Sequence, residues 1–345
     1  MEHTAVIVLL LFGIAFIAIL SNKYKFPFPI ALVLSGLCIS IIPGLPVIEL
    51  APDVVFIIFL PPLLYGAAWN TSWHDFKANI RPISLAAIGL VIFTTLMVAI
   101  AAHWLIPDLS WPFAFLIGAI VSPPDAIAAT SVTKGLGLHP RIITILEGES
   151  LVNDASGLVA YKYALTAITA GNFVLWKAGA NFLLVAAAGI AIGLLIGYIM
   201  YLVHKNFVCD AVVEVTLTFL TPFTSYLIAE HFHFSGVLAI VTTGLYLSYR
   251  SAEIFTHQSR MMAYSVWEVV IFILNRLIFV LIGLQLRNVM KGIGDYPVQG
   301  LVLYGIVISF VVIIVRFIWV IPAAMLPRLL ASAFVKKKHL MPAPW

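Results

Sequence analysis

Leu146-Glu147-Gly148-Glu149-Ser150-Leu151-Val152-Asn153-Asp154-Ala155-Ser156-Gly157-Leu158-Val159-Ala160-Tyr161 decides how the rest of the chain is read. Apolar sequence flanks it on both sides, yet it holds two glutamates, an asparagine and an aspartate. A carboxylate at mid-membrane depth costs about 2.5–3.5 kcal/mol on insertion scales, so such residues line an ion path or have a partner. A second interruption, Ser122-Pro123-Pro124-Asp125, lies shortly before it.

The surrounding composition makes the setting a membrane. Of 345 residues, 62% are hydrophobic and 10% charged, against about 25% charged in a soluble domain. The formal charge of +4 does not point to nucleic acid, because the basic residues sit between apolar runs. Cys38 and Cys209 form neither a disulfide framework nor a metal-site spacing. The first apolar run follows Glu2 and His3 rather than a basic segment, and reads as a first transmembrane helix, not a cleaved signal peptide.

About 20 apolar residues cross a bilayer as helix. That length predicts an all-α polytopic membrane protein with about eleven spans: 4–21, 27–43, 51–69, 81–106, 112–133, 141–169, 173–203, 211–230, 234–250, 262–287 and 298–328. Of the 19 Lys and Arg, thirteen fall on one set of alternating loops and the C-terminal tail. Three (Lys177, Arg287, Lys291) fall on the opposite loops, and Lys162, Arg276 and Arg316 lie within spans. The positive-inside rule then places the N-terminus outside and the C-terminus in the cytoplasm. Trp69, Trp73, Trp104, Trp111 and Trp176 lie near span ends, as an aromatic belt requires.

Phe26-Pro27-Phe28 opens the second span, which later carries Gly36-Leu37. Phe232-His233-Phe234 opens the ninth, which later carries Gly244-Leu245. The two spans run in opposite directions, which is the sign of an inverted repeat in secondary transporters. Helix n would pair with helix n+7, so the partners of the fifth and sixth helices would lie beyond Trp345.

The two prolines of Ser122–Asp125 prevent a regular helix from passing through the fifth span. Non-helical backbone at that depth must be buried in protein or line a watery cavity. The opened carbonyls, that of Pro124 among them, can coordinate a cation, and the half-helix ends supply dipoles of both signs. Asp125 at the break is either part of that site or a cap on the next half-helix. Asp154 is the leading ion ligand: an apolar setting favours its neutral form, so it can hold either a proton or a hard cation. Asn153 and Ser150 supply neutral oxygens, Ser150 from four residues back on the same helix face. The alternative for Asp154 is a structural acid paired with Lys or Arg. Glu149 reads as half of a structural ion pair with Arg316, or otherwise with Arg276. Glu147 is either in the site or solvated at the helix end, and Lys162 pairs with an acid or snorkels outward. Glu214 and Glu268 lie near span ends and read as interfacial. His231 and His233 flank a loop without further metal ligands.

These residues resemble the monovalent cation:proton antiporter family that includes the bacterial and animal sodium/proton exchangers. Leu60-Pro61-Pro62-Leu63-Leu64 resembles its Leu-Pro-Pro motif, and Ser122-Pro123-Pro124-Asp125 its unwound Ser-Pro-Thr-Asp-Pro crossing. Gly148-Glu149-Ser150-Leu151-Val152-Asn153-Asp154 resembles its Gly-Glu-Ser-Leu-X-Asn-Asp helix, and Leu277–Leu286 is also similar. The resemblance implies a thirteen-helix fold with a dimerisation part and a mobile core. It implies Asp154 as the shared Na+ and proton site, electroneutral exchange from Asn153 beside it, and a Glu149–Arg316 pair. The chain departs from the pattern where Gly66 replaces an acid after Leu-Pro-Pro, and where Pro124 and Ala126 replace Thr and Pro at the crossing. It also reads as C-terminally shortened by two helices.

The expectation is one transmembrane transporter domain over 1–345. Segments 1–80 and 171–260 form the scaffold and dimerisation part, and 81–170 with 261–330 the ion-carrying core. The protein is expected to be no enzyme and to hold no resident cofactor. It would exchange Na+, or K+ or Li+, for H+ as a homodimer in the bacterial inner membrane. No phosphate-binding glycine loop for ATP appears. The alternatives are an inactive or regulatory membrane subunit lacking the final core helices, a channel, and an organic-solute symporter.

Overall fold

A computed structural model describes residues 2–24, 26–41, 52–133, 137–170, 175–207, 210–294 and 297–338, and these contain helices and no strand. The chain runs α1 (Glu2–Tyr24), α2 (Phe28–Ile41), α3 (Pro52–Ile58), α4 (Leu60–Asn70), α5 (Trp73–Ala78) and α6 (Ile80–Ser84). A π-helical turn (Leu85–Leu90) leads into α7 (Val91–Leu105), followed by α8 (Trp111–Val121), α9 (Ala126–Thr133) and α10 (Pro140–Ala170). The rest is α11 (Leu175–Phe207), α12 (Ala211–His231), α13 (Gly236–Ile254), α14 (His257–Leu284), α15 (Leu286–Ile293) and α16 (Val298–Lys338). Among the described residues, five helical runs are long and apolar enough to cross a membrane: Ile80–Leu105, Asn181–Phe207, Ala211–His231, His257–Ile293 and Val298–Ala323.

Side-chain caps set several helix starts. Asp210 accepts from the amides of Val212 and Val213 at 2.8 and 3.1 Å to begin α12. Ser235 accepts from Leu238 N to begin α13, and Thr256 from Ser259 N to begin α14. A cap satisfies an amide that has no partner within its own helix. Thr256 explains why α14 starts at His257 rather than at the expected 262: the polar run His257-Gln258-Ser259-Arg260 is helical despite its low hydropathy. The expected third span divides at Phe59 into α3 and α4, and α16 continues past the expected 328 to Lys338. The short helices α5 and α15 were not anticipated.

By packing, the chain forms two compact units. One comprises Met1–Asn79, Asp125–Leu151 and Trp176–Tyr296; the other comprises Ile80–Pro124, Val152–Leu175 and Pro297–Trp345. Packing in one conformation divides a chain by contact and not by motion, so the expected core and scaffold segments are a different partition from this one.

In the first unit α2 lies along α14. A Cβ on Gly36 would stand 2.4 Å from Val280 O, and one on Gly283 would stand 2.4 Å from Val33 O. Two glycines facing each other let the backbones meet, the usual device of close helix crossings in membranes. Ile14, Leu32 and Val280 fill the space beside the crossing. In the same unit α13 lies along α4: Gly244 faces Ala68 and Tyr65, and the Ser248 hydroxyl donates to Trp69 O at 2.7 Å. The second unit is built on α7 against α8, where Ala99, Ala102 and Ala114 are fully buried. Trp319 of α16 packs on Phe93 at 5.1 Å between ring centroids.

Candidate ion-binding site

α8 ends at Val121 and α9 begins at Ala126, so the helix is open over Ser122–Asp125, as two consecutive prolines require. Two side chains hold the N-terminal lip. Thr95 on α7 donates to Ser122 Oγ at 3.2 Å, and Ser122 donates in turn to Ala119 O at 3.2 Å. Asp125 is exposed; its Oδ2 accepts from Ala128 N at 3.3 Å and its backbone carbonyl from Ala129 N at 3.2 Å. The capping alternative for Asp125 is therefore present in the structure, whatever else the carboxylate does.

The glutamyl stretch lies on one unbroken helix, α10. Its turn length puts Glu149, Asn153 and Gly157 on one face and Ser150 with Asp154 on the next. Glu149, Asn153 and Gly157 are buried, while Ser150 and Asp154 are half-buried. The buried face meets the break. Asn153 Nδ2 donates to Pro124 O at 3.3 Å, and one turn on, Gly157 passes so close to Pro123 that a Cβ there would stand 2.2 Å from its ring Cγ. Asn153 is 0% exposed, and its Oδ1 has no hydrogen-bond partner among the described residues. A buried amide oxygen without a donor is costly unless something cationic or protic meets it. Carbonyl and carboxylate oxygens are the ligands that hard monovalent cations take. α10 thus presents the Asn153 amide to the opened backbone, with Asp154 next to it in sequence.

Asn153 and Pro124, both expected in the site, are brought together directly. Asp154 and Ser150 share α10 with Asn153. Two contributors escaped the sequence reading: Gly157, which lets α10 approach Pro123, and Thr95, which secures the lip. Gly157 was legible in principle, since it lies four residues after Asn153. Arg276, the second choice of partner for Glu149, is engaged with rings: its guanidinium lies 3.4 Å from the Phe272 ring centroid and 4.6 Å from that of Phe28. Glu147 and Lys162 are exposed.

Helices long and apolar enough to cross a membrane, with a buried amide set against a broken helix, point to a class, the ion transporters built around an interrupted helix. The chain belongs to the transmembrane sodium/hydrogen exchanger family, whose profile matches residues 7–337. It is 32% identical over 330 residues to a sodium, potassium, lithium and rubidium/H(+) antiporter of Bacillus pumilus, covering 93% of this chain and 49% of that one. It is 30% identical over 300 residues to the Na(+)/H(+) antiporter ApNhaP of Aphanothece halophytica, covering 86% and 56%. The chain spans about half the length of the curated relatives it matches. In fold it is similar to the sodium proton antiporter MjNhaP1 of Methanocaldococcus jannaschii, with a TM-score of 0.70 at 22% identity over 93% of this chain and 79% of that one.

Proposed function

We propose that the protein exchanges a monovalent cation, Na+ first, for a proton, with Asp154 as the group for which the two compete. The observation that carries this reading is the buried Oδ1 of Asn153, which has no hydrogen-bond partner among the described residues, held beside the Pro124 carbonyl at the helix break and adjacent in sequence to Asp154. Ser150 completes the oxygen set from the preceding turn. The carboxylate is neutral when it holds a proton and neutralised when it holds Na+, so either occupant removes a buried charge. An empty, ionised site is the state the membrane disfavours. The loaded site would then be exposed to either side in turn. With Asn153 rather than a second carboxylate beside Asp154, one proton is replaced by one cation and the cycle moves no net charge.

The inverted repeat has support in the packing of the first unit. If the second and ninth spans are mates, so are the third and tenth. The crossing of α2 with α14 then has its counterpart in that of α13 with α4, and each places its repeat glycine, Gly36 or Gly244, on the partner helix. We further infer eleven spans and an inner-membrane location with the N-terminus outside, from the apolar runs and the Lys and Arg bias, and a homodimer, from the family resemblance.

Proton release reports the competition directly. Addition of NaCl to the purified protein in weakly buffered solution is expected to release protons, and choline chloride is not. Asp154→Asn abolishes the release. Equal release from wild type and Asp154→Asn would defeat the assignment.

A further inference from the structure

Glu214 lies near a span end, as the sequence suggested, but its side chain is turned into the protein. It is 4% exposed, in the first turn of α12, and faces His204 in the last turn of α11, which is 1% exposed. His204 Nδ1 lies 3.8 Å from Glu214 Oε1. Neither ring nitrogen of His204 has a hydrogen-bond partner among the described residues. Phe255 covers the imidazole at 5.1 Å between ring centroids, and the Ser259 hydroxyl of α14 faces the carboxyl. One turn further along α12, Trp267 Nε1 donates to the Thr218 hydroxyl at 3.1 Å. The pair is thus closed in on the sides formed by α13 and α14.

We infer that His204 and Glu214 form a second proton-binding site, distinct in its residues from the α10 site, that holds one proton between its two members. The reasoning is one of charge. A buried carboxylate and imidazole have three states: net positive with two protons, net zero with one, and net negative with none. Burial penalises both charged states and leaves the one-proton state lowest. Free in water, with reference values of about 6.5 and about 4.3, the same groups hold almost no proton above neutrality. The folded site therefore binds a proton that the separate groups would give up.

The charged groups on the surrounding elements are committed elsewhere. On α11, Lys205 donates to the Tyr201 hydroxyl at 3.0 Å. On α13, Arg250 and Glu253 pair with each other. Before α12, Asp210 caps the helix. On α14, Arg260 reaches Ser251 O at 3.5 Å, and His257 is exposed. None of these contacts supplies His204 or Glu214 with a counter-charge. Loss of the shared proton leaves a net negative charge buried where α11, α12 and α14 meet, so their packing depends on pH.

The test is the thermal unfolding midpoint of the whole chain between about pH 6.5 and about pH 9. Above the unfolded imidazole's value the native pair holds a proton that the unfolded chain has released, so stability falls as pH rises until the pair gives that proton up. Wild type is expected to lose midpoint toward alkaline pH, and Glu214→Gln to lose at least half of that dependence. His204→Gln keeps the dependence, because a lone buried carboxyl still holds its proton. Glu268→Gln, at an exposed position, follows wild type. If Glu214→Gln does not fold, Glu214→Leu takes its place, since apolar replacement of a buried polar pair is often tolerated. A wild-type midpoint independent of pH, or a Glu214 variant with the full wild-type slope, overturns the proposal. No cation flux is measured, so the outcome is separate from that of the exchange reading.

Discussion

At the scale of single residues, the site depends on what α10 presents to an opened backbone. Asn153→Ala removes the hydrogen bond to Pro124 O and leaves that carbonyl unpartnered by α10. The expected loss is about 1 kcal/mol of stability, with a larger proportional loss of sodium-dependent proton flux, because the variant also lacks the amide oxygen. Equal flux with an unchanged midpoint would exclude Asn153 from the site. Gly157→Ala tests the approach itself. The added methyl would stand 2.2 Å from Pro123 Cγ, and a proline ring cannot swing away. Overpacking of this kind costs about 1–3 kcal/mol, so both midpoint and flux should fall. What was legible here is the Ser122–Asp125 break, because two consecutive prolines in an apolar run suffice to single it out. What was not legible is azimuth. Hydropathy along the chain places Glu214 near a membrane face but does not say that its side chain turns inward to His204, and the same blindness hid Thr95.

At the scale of helices, glycine positions set which pairs lie backbone to backbone. Gly36→Val would put a Cβ 2.4 Å from a main-chain oxygen of α14, and Gly244→Val would put one 2.8 Å from Ala68 Cβ on α4. If the two crossings are repeat mates, both variants lose thermal midpoint, the α2 variant more because backbone cannot yield. A neutral outcome at either position would remove the packing support for the repeat. The end of α13 carries a pH-dependent contact outside the expected ninth span. The Arg250 guanidinium, and after it the Tyr201 hydroxyl, hold the Glu253 carboxyl below its usual range. That contribution is present above about pH 4.3, the unfolded value, and fades as pH falls through the lower folded value. Glu253→Gln should therefore have a slightly lower midpoint than wild type at neutral pH and converge with it in acid. Helix type was readable from apolar runs. The ends were less so where a cap such as Thr256 starts a helix inside polar sequence, or where a short amphipathic piece such as α15 follows a span.

At the scale of the whole molecule, the distribution of Lys and Arg predicts which loops face the cytoplasm. In a background with Cys38 and Cys209 replaced, a cysteine at Lys205 should react with an impermeant thiol reagent only from the cytoplasmic side, and one at Lys291 only from outside. The reverse pattern would invert the topology and with it the sidedness of the His204–Glu214 site. The central claim is that one carboxylate exchanges a cation for a proton. Its most direct test is sodium-driven proton flux in liposomes, with potassium and lithium as comparison ions and with membrane voltage clamped by an ionophore. The account predicts acidification or alkalinisation that follows the sodium gradient, is unchanged by the clamped voltage, and disappears in Asp154→Asn. Flux that persists in Asp154→Asn would contradict it.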